Sequence, residues 1–245
     1  MHPVWRRSLP FWLATVLVLP GCGGSDDDRL VVFAASSLTD VFDGLEAEFE
    51  VAHPGIDLVV NYGGSSSLAA QIEQGAPVDV FAGADQATMQ RVLDEASGEP
   101  VMFARNRLAI AVEAGNPERV DTVADLADPD LIVVLADGAV PAGGYAAELL
   151  ALAGIELEPA SYESSVRAVA GKVALGEADA GIVYHTDIVA NDEQLDEFVI
   201  PEGINVVADY PIVAMNGGSA ARSFVEFVVG EHGREALTAA GFELR

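Results

Sequence analysis

Short apolar runs alternate with amphipathic stretches along the chain from residue 30 to the end. Apolar runs of four to eight residues predict buried strands, and apolar residues three and four positions apart predict one face of a helix. The run Leu-Val-Val-Phe at residues 30–33 predicts the first strand. After it, apolar residues fall at helical spacing, at Leu38, Val41, Phe42, Leu45 and Phe49. The alternation predicts an α/β fold in which parallel strands are joined by crossover helices.

The same pattern continues to the C-terminus. Further strands are predicted at residues 56–62, 78–82, 108–112, 131–135, 181–184 and 212–214, and further helices at residues 68–74, 146–153, 166–174, 220–229 and 234–240. The chain has 245 residues. A chain of this length can fold as one domain or as two, so the pattern alone leaves the number of domains open.

The N-terminus has the pattern of a secretory signal. Arg6 and Arg7 precede a mostly apolar run at residues 9–19, which is too short to span a bilayer as a helix. Leu19-Pro20-Gly21-Cys22 resembles a lipobox, so we expect a signal peptide at residues 1–21, lipidation of Cys22 and a flexible tether at residues 22–29. A twin-arginine signal, an uncleaved anchor and an unmodified thiol are the alternatives.

Composition and charge narrow the possible functions. The chain carries 12 Lys and Arg against 39 Asp and Glu, a formal net charge of −27. This charge argues against a nucleic-acid partner, which requires a basic surface. The residues are 51% hydrophobic and 21% charged, which is typical of a globular protein. Cys22 is the sole cysteine of the sequence, so no intrachain disulfide can form.

Four segments place small hydroxyl residues or glycine where a strand gives way to a helix: residues 34–40, 62–68, 140–145 and 164–167. A helix N-terminus offers free N–H donors and a partial positive charge, and serine adds a hydroxyl donor. Several such sites can converge at the carboxyl edge of an α/β sheet, where they would suit a small oxyanion. Helix capping is the alternative for each segment, since Ser37 and Asp40 fit a capping box.

Other candidate residues give weaker signals. Tyr184 ends a predicted strand, and its phenol could either donate to a ligand or sit at the edge of a core. Metal binding by His185, His53 or His232 is not expected, because no H-x-x-x-H spacing occurs. The sequence lacks the common nucleophile-elbow and phosphate-loop motifs, so we expect neither an enzyme nor a cofactor.

Four segments, read together, resemble the molybdate-binding proteins of ABC importers. They are Phe-Ala-Ala-Ser-Ser-Leu-Thr-Asp at residues 33–40, Gly-Ser-Ser-Ser-Leu-Ala-Ala-Gln-Ile-Glu-Gln-Gly-Ala-Pro-Val-Asp-Val-Phe at 64–81, Val-Pro-Ala-Gly-Gly-Tyr-Ala at 140–146, and Gly-Ile-Val-Tyr-His-Thr-Asp at 181–187. The resemblance extends from about residue 30 to the end. Gly64 departs from it, because the family often has serine there.

The resemblance implies a two-lobed type II periplasmic-binding-protein fold, each lobe a mostly parallel sheet flanked by helices and joined by a two-strand hinge. Residues 30–106 and 212–245 would form lobe 1, and residues 107–211 would form lobe 2. The oxyanion, molybdate or tungstate, would be held by Ser37 and Ser65 of lobe 1. Lobe 2 would contribute Ala142 and Val166 through their backbone N–H groups, and Tyr184 through its phenol.

The same resemblance implies an extracytoplasmic protein that delivers its ligand to a membrane permease. Together with the lipobox-like segment, it leads us to expect a monomer that is lipid-anchored to the membrane. Two alternatives stay open. One is a binding protein for another tetrahedral oxyanion such as sulfate. The other is a secreted hydrolase that uses Ser37 or Ser65 as a nucleophile, although no histidine partner is evident. An Fe(III) binder would want clustered tyrosines, whereas the five here are scattered along the sequence.

Overall fold

The computed structural model describes residues 29–245. The predicted signal peptide, Cys22 and almost all of the tether lie outside the described residues. Within the described part of the chain, no helix combines the length and the apolar character that crossing a membrane requires.

The first part of the chain forms three parallel strands with helices between them. β1 (Arg29–Ala35) pairs in parallel with β2 (Asp57–Gly63) on one side and with β3 (Val80–Ala82) on the other. The apolar positions predicted for the first helix, α1 (Thr39–Ala52), are buried, including Val41, Phe42, Leu45 and Phe49. The elements are β1 (Arg29–Ala35), α1 (Thr39–Ala52), β2 (Asp57–Gly63), α2 (Ser65–Glu73), β3 (Val80–Ala82) and α3 (Gln86–Val92).

A long strand, β4 (Val101–Glu113), connects this group of strands to a second one. Its first half pairs antiparallel with β9 (Val207–Ala214), which pairs in turn with β3. Its second half pairs antiparallel with β7 (Ala180–Tyr184) and with β8 (Leu195–Val199). With β5 (Val133–Ala136) and β6 (Ser161–Glu163) included, the strand order is β2-β1-β3-β9-β4-β7-β5-β6, and β4 lies between the two groups.

The second group repeats the parallel arrangement. β5 pairs in parallel with β6 and with β7. Its elements are β5 (Val133–Ala136), α4 (Pro141–Ala153), β6 (Ser161–Glu163), α5 (Val166–Ala174) and α6 (His185–Val189), together with β7 and β8. After β9 the chain ends with α7 (Ser219–Val229), α8 (Glu231–Ala239) and β10 (Glu243–Leu244), which pairs with β4.

The predicted α/β class with mostly parallel strands is confirmed. The expectation that consecutive strands are parallel is wrong for β4 and β9, because the long strand β4 meets β7, β8, β9 and β10 in antiparallel pairs. Five short elements were not predicted: α3, β6, α6, β8 and β10. Each has seven residues or fewer, too few for a period to stand out.

Candidate oxyanion site

One small cavity is lined by all five residues that the sequence predicts as ligand-binding. Ser37 lies in a single 3-10 turn after β1, and Ser65 is the first residue of α2. Ala142 and Val166 lie in the first turns of α4 and α5, and Tyr184 ends β7. Ends of strands and starts of helices from both groups of strands therefore meet at one point.

The cavity is small and uncharged. Its volume is about 10 Å³, far below the roughly 300 to 1,000 Å³ of pockets that hold drug-sized organic ligands. None of the described residues that line it carries a charge. Its wall consists of the five residues above together with Ala35, Ser36, Gly63, Gly64, Ala84, Val140 and Pro141. Neutral dipoles are thus the polar groups that the cavity offers to a ligand.

The hydroxyls of Ser37 and Ser65 do not cap helices. The Ser37 Oγ lies 2.7 Å from the Tyr210 hydroxyl, and α1 begins after Leu38 without a side-chain cap. The Ser65 Oγ accepts a hydrogen bond from the Ala84 N–H at 3.1 Å. The capping-box alternative is therefore wrong for Ser37. Since an amide already occupies an acceptor position of Ser65, its hydroxyl proton is available to a ligand.

Capping does explain part of the fourth segment. The Ser165 Oγ accepts a hydrogen bond from the Ala168 N–H at 3.2 Å at the start of α5. Val166, the first residue of that helix, lines the cavity. In α4 the first position is Pro141, which has no N–H, so Ala142 carries the first amide of the helix. Amides in a first helical turn have no partner within their own helix.

Tyr184 combines burial with a hydroxyl that lacks a partner. Its side chain is 1% exposed, and its hydroxyl makes no hydrogen bond to any of residues 29–245. Burial raises the pKa of the Tyr184 phenol well above its usual range, and the proximity of Tyr210 and Tyr145 acts in the same direction. The group is therefore a neutral phenol with a proton to donate. The residue is in the core and also lines the cavity, and donation of its phenol to a ligand stays a prediction.

Glycine is required at position 64, where the start of α2 faces the segment before α5. A Cβ atom on Gly64 would lie 2.6 Å from the Ser164 carbonyl oxygen, much closer than such atoms approach in proteins. A serine at this position would therefore force the start of α2 away from the segment before α5. Nearby, the Ser66 hydroxyl donates to the Ala139 carbonyl across the same gap.

Charged groups surround the site at a distance from its wall. Arg167 of α5 forms a bidentate ion pair with Asp40 of α1, with a Nη2 to Oδ1 distance of 2.9 Å. Asp187, 1% exposed, accepts from the Tyr184 N–H at 3.1 Å. Burial raises the pKa of Asp187 to about 7, against the lowering effects of that hydrogen bond and of Arg167.

The histidines have structural partners. His185 Nδ1 lies 2.9 Å from Glu197 Oε2, and the ring of His53 stacks on Phe49 with centroids 4.1 Å apart. Across residues 29–245, no group of three or more His, Cys, Asp or Glu side chains is arranged to hold a metal ion.

Sequence reasoning missed Tyr210, Asn106 and Asp187 as neighbours of the site. Tyr210 is separated from Ser37 by 173 positions, and no motif links the two. Asn106 donates to the Thr186 hydroxyl at 2.7 Å. The Asp187 carboxylate accepts a hydrogen bond from the Tyr184 N–H at the start of α6. Aromatic and amide residues on core strands give no sequence signal for such contacts.

Comparison with known proteins identifies relatives over almost the whole described chain. Residues 30–243 match the family of bacterial extracellular solute-binding proteins. The molybdate-binding protein ModA of Mycobacterium tuberculosis is 39% identical over 218 residues, which cover 87% of this chain and 84% of the relative. The protein of the same name from Escherichia coli is 29% identical over 240 residues, 90% of this chain and 91% of the relative. The solved structure of the periplasmic molybdate-binding protein of Azotobacter vinelandii has a TM-score of 0.77 at 22% identity, covering 88% of this chain and 99% of that one.

Proposed function

The chain belongs to the bacterial extracellular solute-binding proteins and, within them, to the molybdate-binding proteins of ABC importers. We propose that it captures molybdate or tungstate in the cavity between α2, α4 and α5 and delivers the anion to a membrane permease. The ligands are the hydroxyls of Ser37, Ser65 and Tyr184 and the backbone N–H groups of Ala142 and Val166.

The observation that carries this proposal is the unpartnered Tyr184 hydroxyl. Leaving a buried hydroxyl without a hydrogen bond costs about 1 to 3 kcal/mol, so such a group marks a place where a ligand supplies the missing acceptor. The serine hydroxyls and the two helix N-termini around the same cavity are all donors. A fully deprotonated oxyanion offers only acceptors, which is the complement of this set.

Two lobes that close on the ligand are the second part of the proposal. Residues 30–106 and 212–245 form lobe 1, residues 107–211 form lobe 2, and β4 and β9 carry the chain between them. The proposal is supported by the two groups of strands that share β4 and by the cavity wall, which draws residues from both. Opening would separate Ser37 and Ser65 from Ala142, Val166 and Tyr184 and admit the ion.

Two other functions are weaker. Sulfate binding would use the same donors, so ligand size and geometry must separate it from molybdate binding. A serine hydrolase is disfavoured because, among the described residues, Ser37 bonds to Tyr210, Ser65 bonds to Ala84, and neither hydroxyl meets a histidine. Solute-binding proteins of ABC transporters are generally not enzymes, and we infer that this chain only binds its ligand.

The family is extracytoplasmic. Lipid attachment at Cys22 would keep a monomeric binding protein at the membrane surface near its permease. Replacing Cys22 by Ser should release the protein from membranes into the soluble fraction, whereas unchanged membrane association would argue against the anchor.

Isothermal titration of the mature protein with molybdate, tungstate, sulfate and phosphate tests the function directly. We expect one-to-one binding of molybdate and tungstate and little or no heat with phosphate, whose hydrogen phosphate form carries a proton that this donor-only site cannot accept. Tight binding of sulfate would favour the alternative oxyanion. The absence of binding to all four anions would refute the proposal.

A further inference from the structure

Tyr210 lies behind the cavity and is hydrogen-bonded to one of its wall residues. It is on β9, its side chain is fully buried, and its hydroxyl lies 2.7 Å from the Ser37 Oγ. Among the described residues, Ser37 is the hydrogen-bond partner of the Tyr210 hydroxyl. A buried donor that is left without an acceptor destabilises the folded protein, so the Tyr210 proton requires an acceptor.

The direction of this hydrogen bond follows from burial. Burial keeps Tyr210 protonated by raising the pKa of its phenol, so the hydroxyl has one proton to donate. Among the described residues, Ser37 Oγ is the acceptor within reach of that proton. Ser37 then accepts from Tyr210, and its own proton is directed elsewhere. The cavity that Ser37 lines is the open side.

The ring of Tyr210 is held rigidly. Its centroid lies 5.3 Å from that of Phe242 and 6.3 Å from that of Phe103, both in edge contacts. It also meets the ring of Tyr184 at 5.9 Å and an angle of 68°. The residue therefore contacts a side chain of each proposed lobe, Ser37 and Tyr184, from a fixed place on the strand pair between them.

We propose that Tyr210 is a positioning residue for oxyanion binding: the hydrogen bond from Tyr210 to Ser37 fixes the Ser37 hydroxyl as a donor into the cavity. The inference rests on the proposed function and deepens it. Hydrogen bonds in series polarise one another, so Ser37 is a stronger donor than an isolated serine. Without the Tyr210 hydroxyl, the Ser37 hydroxyl can rotate. The ligand must then order this hydroxyl when it binds, and the affinity is lower.

A mutant cycle measured by isothermal titration with molybdate tests this role. Tyr210→Phe keeps the ring and removes the hydroxyl, and we expect affinity to fall about fivefold to tenfold. Tyr62→Phe is the matched control, because Tyr62 donates to Asp43 at 2.7 Å outside the cavity wall. It should bind like the wild type.

The serine backgrounds separate positioning from a general structural effect. If Tyr210 acts through Ser37, the loss caused by Tyr210→Phe disappears in the Ser37→Ala background and persists in the Ser65→Ala background. Equal losses in both backgrounds, or no loss in the wild-type background, would overturn the inference while leaving molybdate binding intact. Failure of the wild-type protein to bind molybdate would refute the proposed function itself, so the two failures are distinguishable.

Discussion

Substituting Phe for Tyr184 should weaken oxyanion binding without weakening the fold. The variant removes one hydroxyl from a fully packed ring, and that hydroxyl has no partner within residues 29–245. A hydrogen bond to a charged group contributes about 1.5 to 3 kcal/mol, which corresponds to roughly 10- to 150-fold in the dissociation constant. The affinity for molybdate should fall by this factor.

The stability of the unliganded Tyr184→Phe protein should rise or stay unchanged. Removing an unpaired buried hydroxyl relieves a desolvation cost of about 1 to 3 kcal/mol, and the phenyl ring fills the same space. For a domain of this size, each kcal/mol shifts the melting temperature by about 2 to 4 °C. Truncation of an ordinary buried hydrogen-bonding group has the opposite effect on stability.

Two measurements check the pair of effects: isothermal titration for affinity and thermal denaturation without ligand for stability. Tyr62→Phe is again the control, because it loses its bond to Asp43 and should keep full affinity. The reasoning would be refuted by a Tyr184→Phe protein that binds molybdate like the wild type. A clearly lower melting temperature of the unliganded variant would show that the hydroxyl has a structural partner instead.

Three further outcomes are expected. Gly64→Ala should weaken binding, because its Cβ would lie 2.6 Å from the Ser164 carbonyl oxygen. Gly44→Ala is the control and should leave the affinity unchanged, because no atom lies within 4 Å of the added Cβ. Titration of both variants with molybdate measures the difference. The pKa of Asp187 is about 7 in the folded protein, against a reference value of 3.8 for the unfolded chain. Between pH 3.8 and pH 7 the folded protein therefore binds a proton that the unfolded chain does not, and the free energy of unfolding should fall as the pH rises through this range. Asp187→Asn should abolish this contribution, which urea denaturation at pH 5 and pH 8 would measure. If the variant lost as much stability between the two pH values as the wild type, the assignment would be contradicted. The net charge of −27 should repel the anion at low salt, so the association rate measured by stopped-flow tyrosine fluorescence should rise between about 0.01 and 0.1 M salt, as the screening length falls from about 30 to 10 Å; a flat or falling rate would count against this.

The hydrophobic pattern predicted the long elements well. The helix predicted at residues 166–174 has the same bounds as α5, and the apolar positions predicted for α1 are buried. These elements carry their own signal, because a helix face or a buried strand requires apolar residues at a fixed period. The short helices α3 and α6 carry no such signal. The antiparallel pairings of β4 carry none either, because they depend on residues far away in the chain.

The residues of the site also fall into those that the sequence predicted and those that only the structure showed. The sequence by itself predicted the proposed oxyanion donors. Ser37, Ser65, Ala142, Val166 and Tyr184 stand at strand ends or helix starts, and their segments resemble those of known binding proteins. All five line the same cavity. That agreement has a physical cause: backbone amides and hydroxyls at helix starts are local features, and parallel strands bring their carboxyl ends to one edge.

Only the tertiary structure decided what holds those donors in place. The Tyr210 hydroxyl behind Ser37, the Ala84 amide behind Ser65 and the unpartnered state of Tyr184 follow from which strands are neighbours. So does the need for glycine at position 64, where a carbonyl from across the gap excludes a Cβ. Such contacts join residues that are distant in sequence, and because a hydrogen bond depends on distances of a few tenths of an ångström, no local pattern records it.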